Sequence, residues 1–130
     1  MPVVGTGIDV VDVARMRRAL SGGAVGARMK RRVFTEDEVR YCESRGRKAA
    51  ESYAARFAAK EAVMKALGYR ARLGFAWPDI EIVRTKEGKP TIVLHGRTKA
   101  KARRLGAYDV HVSITHIDRV AIAHAVVEGS

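Results

Sequence analysis

Residues 56–68, RFAAKEAVMKALG, constrain the chain more than any other stretch, because they set four charges into a run that is otherwise apolar or small. Alanine, leucine, methionine, lysine and glutamate are strong helix formers, no proline interrupts them, and Gly68 stands where a C-cap would close the run. The stretch predicts a helix that begins near Ala49 or Ala50 and runs to Leu67. At about 100° per residue, Ala55, Ala59, Ala62, Val63 and Ala66 form one apolar arc, and Tyr53, Phe57 and Met64 form a second. Arg56 and Lys60 share one gap between the arcs, and Glu61 and Lys65 share the other. No broad polar face is left for water, so the helix has to be covered on two sides with its charges at the rim of a cleft. The plainer alternative is that Glu61 and Lys65 make an ordinary i,i+4 pair, worth about a few tenths of a kcal/mol.

A second carboxylate has a comparable setting. Residues 3–11, VVGTGIDVV, are rich in β-branched side chains and predict a strand, with Gly5 and Gly7 marking a close backbone approach or a bulge. Alternation places Gly7, Asp9 and Val11 on one face and Ile8 and Val10 on the other. A carboxylate in mid-strand is costly to bury unless a cation, a proton or several donors compensate it. The alternative role for Asp9, capping the next helix, suits Asp12 better.

The charge balance, 25 basic against 14 acidic residues in 130, gives a net charge of +11, a field that attracts acidic partners. Nucleic acid, an anionic membrane surface, and an acidic protein with a phosphorylated cosubstrate all fit such a field. The length suits one domain spanning residues 1–130, and a hydrophobic content of 47% supplies a core. Neither a membrane span nor a signal peptide is evident, so the cytoplasm is the expected compartment. Cys42 is the single cysteine, which excludes an internal disulfide and a thiolate metal cluster and makes it an apolar filler.

Along the chain, Asp12 is the expected N-cap of a helix over residues 13–20 that shows Arg15, Arg17 and Arg18 outward. Gly22, Gly23 and Gly26 predict a turn, and residues 28–33 a further helical turn. Thr35 with Glu38 forms a T-x-x-E capping box, opening a helix that Gly46 follows. Residues 69–78 form a connection in which Arg70 and Arg72 are candidates to close over an anion. Residues 80–83 and 91–95 predict a hairpin across the turn-rich KEGKP. A basic helix over 97–105 ends at Gly106, and 110–116 alternates, with Val110, Val112, Ile114 and His116 on its buried face. Residues 120–127 are apolar on both faces and predict a central strand. His95, His111 and His124 read as structural, whereas His116 stands where the buried face opens.

Asp9 and Glu61, with Arg56, Lys60, Lys65 and His116, suggest a divalent cation with a polyphosphate. Magnesium takes oxygen ligands, one or two of them carboxylates, with water and substrate phosphates completing an octahedron. Zinc suits the chain less well, because no pair of Cys or His has ligand spacing, and no P-loop motif is present.

At GTGIDVVDVAR, RFAAKEAVMKALG and HVSITH the sequence resembles holo-acyl-carrier-protein synthase, the small phosphopantetheinyl transferase family of bacterial fatty-acid synthesis. The resemblance covers most of the chain in the family's order. It implies an α+β fold in which an antiparallel sheet wraps around a long central helix, with subunits assembling as a homotrimer whose sites lie at the interfaces. It implies transfer of 4'-phosphopantetheine from coenzyme A, the cosubstrate, to a serine of an acidic apo acyl carrier protein. Asp9 and Glu61 match the magnesium (Mg2+) ligands, and Lys65 matches a catalytic lysine at the phosphate. His116 lies near the pyrophosphate in that match, and Arg56 and Lys60 match positions at the coenzyme A pocket. Arg15 matches a carrier-docking position, and Lys48 replaces an arginine at a second one, keeping charge without bidentate pairing. The deprotonating group is left open between a metal-bound water and a carboxylate. A basic nucleic-acid-binding domain is the competing expectation; an aromatic content of 6% and no stacking motif on a strand weigh against it. A non-catalytic scaffold subunit of a synthase complex is a second alternative.

Overall fold

The computed structural model describes residues 1–68 and 75–130. Arg70 and Arg72, the candidates to close over an anion, lie outside the described residues. The elements follow in the order β1 (Val3–Asp12), α1 (Val13–Leu20), α2 (Ala24–Val33), α3 (Glu36–Glu43), α4 (Ala49–Leu67), β2 (Ile80–Arg84), β3 (Pro90–Leu94), α5 (Gly96–Arg104), β4 (Ala107–His116) and β5 (Val120–Gly129). Short 3-10 turns at Gly46–Lys48 and Trp77–Asp79 precede α4 and β2. The fold is α+β, with an antiparallel three-stranded sheet in the order β1-β5-β4 and a separate antiparallel hairpin, β2-β3.

The sheet lies against α4, which is buried on nearly every side, as the lack of a polar face requires. Small residues set the spacing. Ala121, Ala123, Ala125 and Val127 of β5 are fully buried, as are Ala58, Ala59 and Ala62 of α4. A Cβ at Gly5 or Gly7 would collide with the carbonyl oxygens of Ala66 and Ala62 respectively. The two glycines therefore mark a close approach, and the register of β1 against β5 also shifts between Val3 and Gly5. One core cluster packs the C-terminal half of α4 against the sheet, Ile80 and Ile82; the other packs its N-terminal half against Val13, Val33, Phe34 and Cys42. β5 is the central strand, as its two apolar faces require. Its end meets the start of the chain, where the Gly129 N–H donates to the Pro2 carbonyl at 3.0 Å.

Caps fall where the sequence puts them. The Arg15 N–H donates to Asp12 Oδ1 at 2.9 Å. The Thr35/Glu38 box is complete, with the Glu38 N–H donating to Thr35 Oγ1 and the Thr35 N–H to Glu38 Oε1. Two boundaries differ from expectation by three residues or more. α2 starts at Ala24, not at residue 28, and Gly26 lies inside it, where a side chain would strike the Leu20 carbonyl and block packing on α1. β4 starts at Ala107, three residues early, because Ala107 and Asp109 pair with Gly129 and Glu128 at the end of β5. The outer face of the sheet carries Ile8 and Val10, 58% and 61% exposed.

Candidate active site

The contact between β1 and α4 brings Asp9 to Glu61 and Lys65. With no side chain at Gly7, the strand runs against the α4 backbone at Ala62 and Ala66, one turn from Glu61. Asp9, two residues along the same face, then opens into a cleft of about 540 Å³ lined by Asp9, Asp12, Arg15, Phe57, Glu61 and Lys65. Lys65 Nζ donates to Asp9 Oδ1 at 2.9 Å and to the Ile8 carbonyl at 3.0 Å. The Asp9 side chain is 16% exposed and that of Lys65 47%, so the pair forms a wall of the cleft that a ligand can reach. Arg15, on the first turn of α1, adds a second cation to the lining.

The two charge gaps of α4 have opposite fates. Glu61 and Lys65 face the cleft, while the Arg56 and Lys60 gap is closed over. Lys60, expected at a coenzyme pocket, is fully buried, and its ammonium donates to Glu38 Oε1 at 2.8 Å, the Ile80 carbonyl at 2.6 Å and the Trp77 carbonyl at 3.1 Å. Burial pushes this amine below the usual lysine range, while Glu38 opposes the shift. With three acceptors filled and no access to solvent, Lys60 is withdrawn from any ligand-facing role. Arg56 is 4% exposed, and its guanidinium lies 4.2 Å from the centre of the Tyr41 ring. Its Nε is buried without a hydrogen-bond partner. Arg84 and Arg45 approach the same ring at 5.3 and 5.9 Å, so three guanidiniums converge on Tyr41.

His116 closes β4 and places Nδ1 3.1 Å from Glu51 Oε1, a carboxylate of the first turn of α4. Glu51 lies ten residues before Glu61, about 15 Å along the helix at 1.5 Å per residue. The structure thus separates the expected residues into two groups, Asp9, Arg15, Glu61 and Lys65 at one end of α4, and His116 with exposed Lys48 at the other. Glu51, Arg45, Arg84 and Phe57 were not singled out by the sequence. Glu51 had a readable signal, an isolated carboxylate among small residues of a helix without a polar face. Arg45 and Arg84 had none, because Tyr41 gathers them from segments far apart in the chain.

Two carboxylates on one cleft, with open space beside them, offer hard oxygen donors of the kind magnesium takes. Among the described residues, the group of three ligand-type side chains with donor atoms within 4.8 Å of one another is elsewhere, at Asp109, His111 and Glu128 on the outer face of the sheet. His111 and His95 each rest on a glutamate, Glu128 at 2.7 Å and Glu81 at 2.9 Å.

Fold and cleft together define an α+β protein whose paired carboxylates, lysine and arginine suit an anionic, metal-chelating ligand. Comparison with known proteins narrows this. Residues 5–123 match the model of the 4'-phosphopantetheinyl transferase superfamily. The chain is 42% identical to the holo-[acyl-carrier-protein] synthase of Koribacter versatilis over 97% of its length and 98% of that protein. It is 47% identical to that of Moorella thermoacetica, over 95% and 93% of the two chains. Among solved structures it resembles a holo-(acyl-carrier-protein) synthase from Bacillus anthracis in complex with CoA (3',5'-ADP), with a TM-score of 0.77, 30% identity and 98% of each chain covered. The chain belongs to the 4'-phosphopantetheinyl transferase superfamily.

Proposed function

We propose that this chain is a holo-[acyl-carrier-protein] synthase, which transfers 4'-phosphopantetheine from coenzyme A to a serine of apo acyl carrier protein in fatty-acid biosynthesis and releases adenosine 3',5'-bisphosphate. The observation that carries the reading is the convergence of Asp9, Glu61 and Lys65 on one cleft, in a chain whose relatives bear that name. Asp9 and Glu61 would hold magnesium, which supplies Lewis acidity and neutralises the pyrophosphate. Lys65 reaches the cleft on a half-exposed side chain and stabilises charge on the leaving phosphate. The Arg45, Arg56 and Arg84 cluster on Tyr41 supplies cations for a further phosphate of the nucleotide, in place of Lys60. His116, held through Nδ1 by Glu51, would offer Nε2 to the ligand of a neighbouring subunit.

The residues of 1–130 act as one domain in this reading, and the working unit is a homotrimer in the cytoplasm. The separation along α4 favours the trimer, in which Asp9, Glu61 and Lys65 of one subunit would be completed by His116, Arg56 and Lys48 of a neighbour. The exposed Ile8 and Val10 give the subunits an apolar face to share. Arg15 at the cleft rim docks the acidic carrier protein, and Lys48 adds a weaker contact. No helix among the described residues is long and apolar enough to cross a membrane.

The test is intact-mass analysis of apo acyl carrier protein incubated with this protein, coenzyme A and magnesium, with EDTA and with Glu61→Gln as controls. The carrier is expected to gain one phosphopantetheinyl mass, and either control to abolish the gain. A gain that survives Glu61→Gln moves the metal away from Glu61. No gain with any of several carrier proteins overturns the reading.

A further inference from the structure

Lys60 is the one cation of α4 that is fully buried, and its surroundings are built rather than accidental. Its carboxylate partner, Glu38, is itself pinned, since Oε1 also accepts the Thr35 N–H at 2.9 Å and Oε2 accepts the Ile82 N–H at 3.0 Å. The pair joins α3, α4, the Trp77–Asp79 turn and β2 through directional bonds. Buried ion pairs are often no more stable than well-packed apolar residues of the same volume, so retaining one is best explained by a geometry that apolar packing would not fix. That geometry leads to the cleft. Lys60 holds the Trp77 carbonyl, and the Trp77 ring stacks on Phe57 with centroids 5.1 Å apart and planes 26° apart. Phe57 lines the cleft and precedes Glu61 by four residues, so its ring borders the Glu61 side chain along the helix.

We propose that Lys60 is a positioning residue for phosphopantetheinyl transfer, acting through Trp77 and Phe57 to hold the cleft wall beside Glu61. The inference rests on the transferase reading above. Lys60 touches neither substrate nor metal; it fixes where the Trp77 turn returns to α4, and the stacked indole keeps the Phe57 ring from swinging into the space the pyrophosphate needs.

Trp77 is the sole tryptophan of the chain, so its fluorescence reports on this contact alone. The experiment compares the unaltered protein with Lys60→Met and Trp77→Leu for kcat, for KM of coenzyme A and carrier protein, for thermal melting, and for Trp77 emission where the indole remains. Lys60→Met is expected to shift Trp77 emission to longer wavelength. Both variants are expected to lose about 10- to 100-fold in kcat, the scale of an ångström-sized misplacement at a reacting centre, while KM for the carrier protein is unchanged because Arg15 is untouched. A folded Lys60→Met with unaltered kcat overturns the inference, as does a shifted emission without loss of kcat. Should Lys60→Met fail to fold, Trp77→Leu decides, because it leaves every bond of the Lys60 ammonium in place: unaltered kcat overturns the inference and a matching loss upholds it. Absence of transfer by the unaltered protein overturns the transferase reading itself, whereas transfer that both variants sustain overturns only the role of Lys60.

Discussion

Glu43 carries the most legible acid dependence in the molecule. It accepts the Tyr53 hydroxyl at 2.5 Å and the Lys30 ammonium at 3.3 Å, and the tyrosine bond, ahead of the lysine charge, holds its carboxyl below the usual glutamate range. A carboxyl depressed in the folded state stabilises above its unfolded pKa, and the contribution is lost as pH falls through the folded value. Acid should therefore weaken the fold below about pH 4.5, and Tyr53→Phe should flatten that dependence in urea melts taken between pH 6 and roughly pH 3. Cys42, whose thiol burial pushes up to about 12, behaves as the apolar filler its sequence setting suggests. Residue by residue, legibility stops at Lys60. Helical spacing assigns four charges to two gaps, but which gap opens to a cleft depends on what covers the other. The cover is Glu38, Trp77 and Ile80, all outside the helix and up to 22 residues away.

At the level of elements, the meeting of β1 and α4 is decisive, because it positions Asp9 and consists of backbone against backbone. Gly7→Ala should force the strand off the helix. We expect a loss of about 1–3 kcal/mol from overpacking, seen as a lower urea midpoint, together with a loss of transfer activity larger than the stability change explains. The sequence announced this contact through its two glycines and the alternation that set Asp9 beside them. It also announced β5 as central and α3 by its capping box. It did not announce the onset of α2, because a glycine-rich stretch predicts a turn unless the partner surface is known; the Leu20 carbonyl leaves no room for a side chain at Gly26 and so accounts for a glycine within the helix. Nor did the early start of β4 leave a mark, since Ala107 and Asp109 join the strand by pairing with β5, around a register shift at Tyr108.

The whole molecule is governed by distance. Glu61 and Glu51 are about 15 Å apart along one rigid helix, so a site needing both ends calls for an extended ligand, a neighbouring subunit, or both. On the proposed trimer, Ile8→Asp on the outer sheet face should give monomers in sedimentation velocity, leave circular dichroism unchanged, and remove transfer activity. Mixing it with Glu61→Gln chains would then restore nothing, because the lost faces cannot meet. The alternation of β1 sets Ile8 and Val10 on the face opposite Asp9 but is silent on what that face meets.

The hydrogen bond from Gly129 to Pro2 means that the polypeptide leaves the sheet beside the point where it enters. The path is nearly a closed loop, and the order in which it is synthesised is separable from the shape it takes. A circular permutant that links the old ends with a few glycines and opens at the exposed turn around Gly88 should keep the β1-β5 seam as a continuous hairpin. It is expected to show the same phosphopantetheinyl transfer as the natural order, since the cleft residues keep their places in the sheet and in α4.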